Sequence, residues 1–112
     1  MIWKSIVNSL NVYMNIDIDR MRANAREAAA LLKALSNENR LLILCQLVSG
    51  EQSVTELNEA IDLSQSALSQ HLAILRREQL VSTRRESQTI YYSISSQKAA
   101  RLLEFMHSTF CE

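Results

Sequence analysis

Apolar residues along this chain recur three or four positions apart over most of its length and alternate every second position in only one region. Residues 17–35 predict a first helix. Asp17 and Asp19 open it, where carboxylates suit the positive end of a helix dipole. Ala23, Ala28, Ala29, Ala30, Leu31, Leu32 and Leu35 give it high helix propensity and a wide face of mostly small apolar residues. Such a face suits close helix packing, either inside the chain or across a dimer. Residues 36–49 predict a second helix with Ser36 as N-cap and Leu41, Leu44, Cys45 and Val48 at helical spacing. Gly50, the only glycine, stands where a helix C-cap belongs. Residues 53–61 predict a short third helix, with Ser53 and Glu56 in the two capping-box positions. After a turn at Asp62-Leu63, Ser64 caps a fourth helix over about 65–78, where Leu68, Leu72 and Leu75 share one face.

The period changes after Leu80. Val81, Thr83 and the run 89–94 are mostly β-branched or aromatic, and they predict a two-stranded hairpin with the polar, basic stretch 84–88 at its tip. Tyr91 and Tyr92 are adjacent on the second strand, so one packs inward and the other outward. A last helix over about 96–110, capped by Ser95 or Ser96, carries Leu102, Leu103, Phe105, Met106 and Phe110 on its apolar side. Residues 1–13 read as a tail or an extra docking turn, with Ile2, Trp3, Ile6 and Leu10 near one helical face, ahead of a single domain over 14–112.

This order predicts a mainly α chain with a small β-hairpin wing, a winged helix-turn-helix. If Leu68, Leu72 and Leu75 face inward, then Gln65, Ser66, Ser69, Gln70, Ala73 and Arg76 face outward. An outward face of Gln and Ser is short and rich in donors and acceptors, which suits base edges in a major groove. Arg76 and Arg77 follow at phosphate-contact positions, Arg84 and Arg85 lie on the hairpin, and His71 stands near the same side, as a phosphate contact or a packing residue.

Composition narrows the alternatives. The 112 residues carry 12 Lys and Arg against 12 Asp and Glu, a zero net charge that by itself counts against nucleic acid. The charge is unevenly placed, however. Residues 64–94 hold four Arg and two Glu, whereas 14–63 hold five basic and eight acidic groups. With one Gly and no Pro, a phosphate-cradling glycine loop is impossible and a turn-rich β fold is disfavoured. Two Cys are too few for a disulfide scaffold or an all-cysteine zinc site, and without a Cys-x-x-Cys or a βαβ pattern a thiol-redox enzyme is a weak reading. No enzyme activity, cofactor or metal is implied. No apolar run reaches the length of a membrane span, and the first 13 residues lack a signal-peptide pattern, so a cytoplasmic protein with reduced thiols is expected.

The segments ELNEAIDLSQSALSQHLAILRREQLV (56–81) and TRRESQTIYYSI (83–94) resemble the helix-turn-helix and wing of the ArsR/SmtB family, and LKALSNENRLLILCQL (32–47) resembles its first core helices. The likeness covers about residues 20–112. It implies a homodimeric bacterial repressor whose first and last helices form the dimer interface and which binds an inverted-repeat operator in double-stranded DNA. A proline common in the family at the Glu38 position is missing. So are the family's metal patterns: there is no thiol near Asn58 and Ala60, and the last helix offers only Glu104 and His107. The pair Cys45 and Cys111 resembles that of the family's dithiol, persulfide-responsive subgroup. That resemblance implies a Cys45–Cys111 redox switch that releases the operator when reactive sulfur oxidises it. Read by its spacing alone, Cys45 is equally a small core residue. Sensing of a metal or another ligand with structural cysteines, and an anti-silencing activator that displaces another repressor, remain the alternatives. His107, one turn before Cys111, is a candidate for lowering its pKa.

Overall fold

A computed structural model describes residues 17–110. The tail 1–13 and Cys111 therefore lie outside the described residues. The chain divides into two compact units, one ending at Ala30 and one beginning at Leu31. In the first, every described residue is exposed. It holds most of helix α1 (Ile18–Leu35), with Asp19 in its first turn and Asp17 just before it. The Asp17 carboxylate accepts from the backbone N–H groups of Asp19 (3.1 Å) and Arg20 (3.2 Å).

The second unit contains the end of α1, where Ala34 and Leu35 are buried, and everything that follows. Helix α2 is Glu38–Val48. Its cap is Asn37 and not Ser36: the Asn37 Oδ1 accepts from the N–H groups of Asn39 and Arg40 at 3.0 and 3.1 Å. Ser36 instead turns back, its hydroxyl donating to the Lys33 carbonyl at the end of α1. Gly50 follows the Ser49 C-cap with φ of 143°, a conformation that a side chain would strain. The buried face of α2 is Ile43, Leu44 and Leu47, rotated from the expected one; Leu41 and Cys45 are half-buried and Val48 is exposed.

A short strand that the sequence did not suggest comes next. β1 (Gln52–Ser53) pairs antiparallel with the wing, Gln52 opposite Tyr92 and Ser53 opposite Tyr91. Two residues leave no periodicity to read. Ser53 also caps helix α3 (Val54–Ala60) with the full capping box: its hydroxyl accepts from the Glu56 N–H, and its own N–H donates to the Glu56 carboxylate. A turn through buried Ile61 leads to Ser64, which caps helix α4 (Gln65–Arg77) by accepting from the Ala67 N–H at 3.1 Å.

Helix α4 ends in a Schellman motif. The Leu80 N–H donates to the Leu75 carbonyl and the Gln79 N–H to the Arg76 carbonyl, with Gln79 in the left-handed region at φ of 62°. Leu75 and Leu80, the two ends of the motif, are both buried. Strands β2 (Val81–Glu86) and β3 (Thr89–Ile94) then pair from Val81–Ile94 to Glu86–Thr89. The turn is therefore only Ser87-Gln88, and Arg84 and Arg85 lie within β2 instead of at the tip. Ser87 takes the positive φ (56°) that tight two-residue hairpins need. The sheet order is β1-β3-β2.

Helix α5 (Gln97–Phe110) starts at Ser96, whose hydroxyl accepts from the Ala99 N–H. It packs on the core through Ala99 and Leu103, both fully buried, while Phe105 and Phe110 point out. Together with Ile43, Leu44, Leu57, Leu68, Leu72 and Leu75, these two residues make one continuous core beneath the helix-turn-helix and the wing. Tyr92 and Ile94 pack against it from β3.

Candidate functional site

Helix α4 is amphipathic in the expected sense. Leu68, Leu72 and Leu75 are at most 2% exposed, and Gln65, Ser66, Ser69, Gln70, Ala73, Arg76 and Arg77 are exposed. The outer edge of this helix and the inner face of the wing enclose a groove of about 700 Å³. Gln65, Ser69, Arg76 and Arg77 line one wall; Gln88, Thr89 and Ile90 line the other. Alongside an apolar lining that includes Val54, Leu72 and Ile90, the groove thus carries neutral hydrogen-bonding side chains and two guanidinium groups from the last turn of α4. That chemistry fits a nucleic-acid backbone held by arginine, with base edges read by amides and hydroxyls.

The remaining predicted residues divide. Ser66 and Gln70 are exposed on α4 but do not line the groove, and the Ser66 hydroxyl lies 3.3 Å from that of Ser64 at the helix cap. His71 is half-buried, and its Nδ1 is buried without a hydrogen-bond partner, which leaves Nε2 as its only usable polar edge. Arg85 is exposed on β2 opposite Ile90, a groove residue. Arg84 is exposed but tied down on the protein's own surface. Its guanidinium donates to both Glu51 oxygens at 2.6 and 3.0 Å and to Glu86 at 2.8 Å, and it lies 4.5 Å from the Tyr91 ring centroid. These bonds raise the Arg84 pKa above its ordinary value and hold the Glu51 carboxyl below its usual 4.5. Sequence reading missed Gln88 and Thr89 as groove residues, because their part depends on the two-residue turn and on the fold of the wing toward α4, and it missed Thr55, which reaches the groove from α3.

A second groove, of about 490 Å³, runs between α2 and α5. Leu41, Leu42, Met106 and Phe110 make it mainly apolar, and Cys45 and His107 line it together. Cys111 is the next residue in the chain after Phe110. Among the described residues, no three His, Cys, Asp or Glu side chains are grouped to hold a metal ion, and no helix is long and apolar enough to cross a membrane.

Comparison with known proteins agrees with this geometry. Residues 37–83 match the family described as bacterial regulatory protein, arsR family. The transcriptional activator HlyU of Vibrio cholerae is 48% identical over 97 residues, spanning 87% of this chain and 90% of that protein. The biofilm growth-associated repressor of Agrobacterium fabrum is 44% identical over 96 residues, spanning 86% of this chain and 82% of that one. The solved structure of reduced HlyU from Vibrio cholerae superposes with a TM-score of 0.82 at 49% identity, covering 85% of this chain and all of that one. A helix-turn-helix with a wing, a groove between them lined by amides, hydroxyls and arginines, and relatives that regulate transcription along nearly the whole chain lead to one conclusion: the protein is a winged helix-turn-helix transcriptional regulator of the ArsR family.

Proposed function

We propose that the protein is a homodimeric repressor that binds an inverted-repeat operator when reduced and releases it when reactive sulfur oxidises Cys45 and Cys111. The observation that carries the DNA-reading part is the groove shared by α4 and the wing. Gln65 and Ser69 read bases from the groove and Ser66 and Gln70 from the exposed face of α4 outside it, while Arg76, Arg77 and Arg85 hold phosphate, with His71 at the edge. Dimerisation is supported by large apolar side chains left in solvent, Phe105 at 63% exposure, Phe110 at 73% and Leu32 at 57%.

The switch reading rests on Cys45 sharing its groove with Phe110, the immediate neighbour of Cys111. It also accords with a solved relative being described as reduced. Chemically, the Cys45 thiolate takes the outer sulfur of a persulfide and releases a thiol. Cys111 then attacks the new Cys45 persulfide, expels hydrogen sulfide and closes a disulfide. If a second persulfide first converts Cys111 to its own persulfide, the outer sulfur of the Cys45 persulfide attacks the Cys111 sulfur, expels hydrogen sulfide and closes a trisulfide. Either bridge ties α5 to α2. Operator half-sites lie roughly one DNA turn, about 34–36 Å, apart, so a small shift of α5 at a dimer interface misplaces the two reading helices.

Fluorescence anisotropy on the gene's own upstream DNA, at fixed salt, tests this with reduced protein, persulfide-treated protein and treated protein returned to reductant. Tight binding that is lost and then restored supports the switch. Tight binding indifferent to treatment overturns it and leaves the DNA reader. A second reading is favoured by the activator name of the 48% identical relative: the same contacts serve an activator that displaces a silencing protein. A reporter transcribed more weakly after deletion of this gene supports that direction, and one transcribed more strongly supports repression.

A further inference from the structure

We propose that Arg84 is a positioning residue that clamps the wing to the body through Glu51, leaving Arg85 as the wing's DNA-facing cation. This rests on the DNA-reading assignment above. The two arginines are neighbours in sequence, but strand pleating sends them to opposite faces. Directly opposed residues of an antiparallel pair share a face. Arg85 is opposite Ile90, which lines the groove beside α4; Arg84 is opposite Tyr91, which does not.

On its own face the half-exposed Arg84 makes three charge-assisted hydrogen bonds. Both Glu51 oxygens accept from it in a two-pronged pair, Glu86 accepts from the third side, and the Tyr91 ring lies under the guanidinium. Single exposed ion pairs contribute little, but a bidentate arginine–carboxylate pair inside a network is the exception. Glu51 is also well placed as an anchor. It stands one residue before β1, just after Gly50 at the end of α2, and β1 is hydrogen-bonded to β3. The Gln52 side-chain amide donates to the Gln46 carbonyl of α2, fixing the same connection. The clamp thus joins the outer strand β2 across β3 to the loop that leaves the core. Two carboxylates already occupy its guanidinium, so Arg84 is committed to the protein's own surface and not to a phosphate.

Three variants test this on operator DNA across a salt series, with amide hydrogen exchange of residues 81–94 in the DNA-free protein. Glu51→Gln removes a negative charge, which by Coulomb attraction alone tightens DNA binding. The clamp predicts the opposite: severalfold weaker binding, unchanged salt slope and faster exchange in the wing. Arg84→Gln gives the same pattern. Arg85→Gln leaves wing exchange unchanged but lowers the slope of log affinity against log salt by about 1.8 per dimer, at about 0.9 per lost phosphate contact. Tighter binding with a steeper slope in Glu51→Gln overturns the proposal, because Glu51 would then be competing with phosphate for Arg84. A slope that falls in Arg84→Gln as it does in Arg85→Gln also overturns it, as does wing exchange unaffected by Glu51→Gln. If the wild-type protein binds no DNA, the DNA reading fails on its own, and the exchange measurement still decides the clamp.

Discussion

Gln65 at the start of α4 and Gln88 in the wing turn are 23 positions apart in sequence and line the same groove. One belongs to the reading helix and the other to the hairpin, so a duplex seated there meets an amide from each side. Replacing Gln65 by Ala is expected to cost about 1–3 kcal/mol on the operator and to relax preference at one base pair. Arg76→Gln is expected to weaken binding to all sequences alike. Anisotropy against a panel of single-base operator variants separates the two behaviours.

Cys45→Ser and Cys111→Ser are each expected to leave operator binding by reduced protein intact and to abolish the response to persulfide. Intact-mass measurement of treated wild type should show an intramolecular bridge, which neither variant can form. His107 lines the Cys45 groove. If it favours the Cys111 thiolate, His107→Ala slows alkylation of Cys111 below neutral pH, as read by timed trapping and peptide mass.

Gln79 holds a left-handed conformation that costs a non-glycine residue about 1–2 kcal/mol, while glycine returns roughly 0.5–1 kcal/mol of that as unfolded-state entropy. Gln79→Gly is therefore expected to stabilise the fold by about 0.5–1 kcal/mol, measured by chemical denaturation. The motif's backbone hydrogen bonds involve only main-chain atoms and survive the change.

Leu68 is fully buried beneath the reading face. Leu68→Ala leaves a cavity under α4 and is expected to cost about 2–5 kcal/mol of stability. Loss of DNA binding should follow the fraction unfolded on warming.

The Glu51–Arg84 pair sets a pH dependence with a definite sign. Arg84 lowers the Glu51 pKa in the folded protein, so the pair contributes above the usual carboxylate value of 4.5 and is lost as pH falls through the lower folded value. Wing amides are expected to keep their protection from neutrality to pH 4.5 and to lose it below. Glu51→Gln should lack this transition.

Helix order, the inward leucines of α4, the capping box and the hairpin were legible because each has a local signature: spacing, a cap residue, or a switch of period. What escaped was non-local. Asn37 displaced Ser36 as cap because both are good cap residues, and only the geometry of the α1–α2 corner chooses between them. Arg84 and Arg85 read as tip residues because the polar run 84–88 hides a strand that continues to Glu86. Their opposite fates depend on register, which needs the partner strand. Of the candidate site, the α4 half was visible in the sequence, and the wing half emerged only once β3 had been placed against the core.

Ser53 belongs to two elements at once, the end of β1 opposite Tyr91 and the cap of α3. It is buried, and both of its capping bonds are made to Glu56. Ser53 is thus a covalent link that joins the wing sheet to the first helix of the reading motif without an intervening loop. In the proposed dimer, a bridge at the α2–α5 groove would then act on the span between two reading heads.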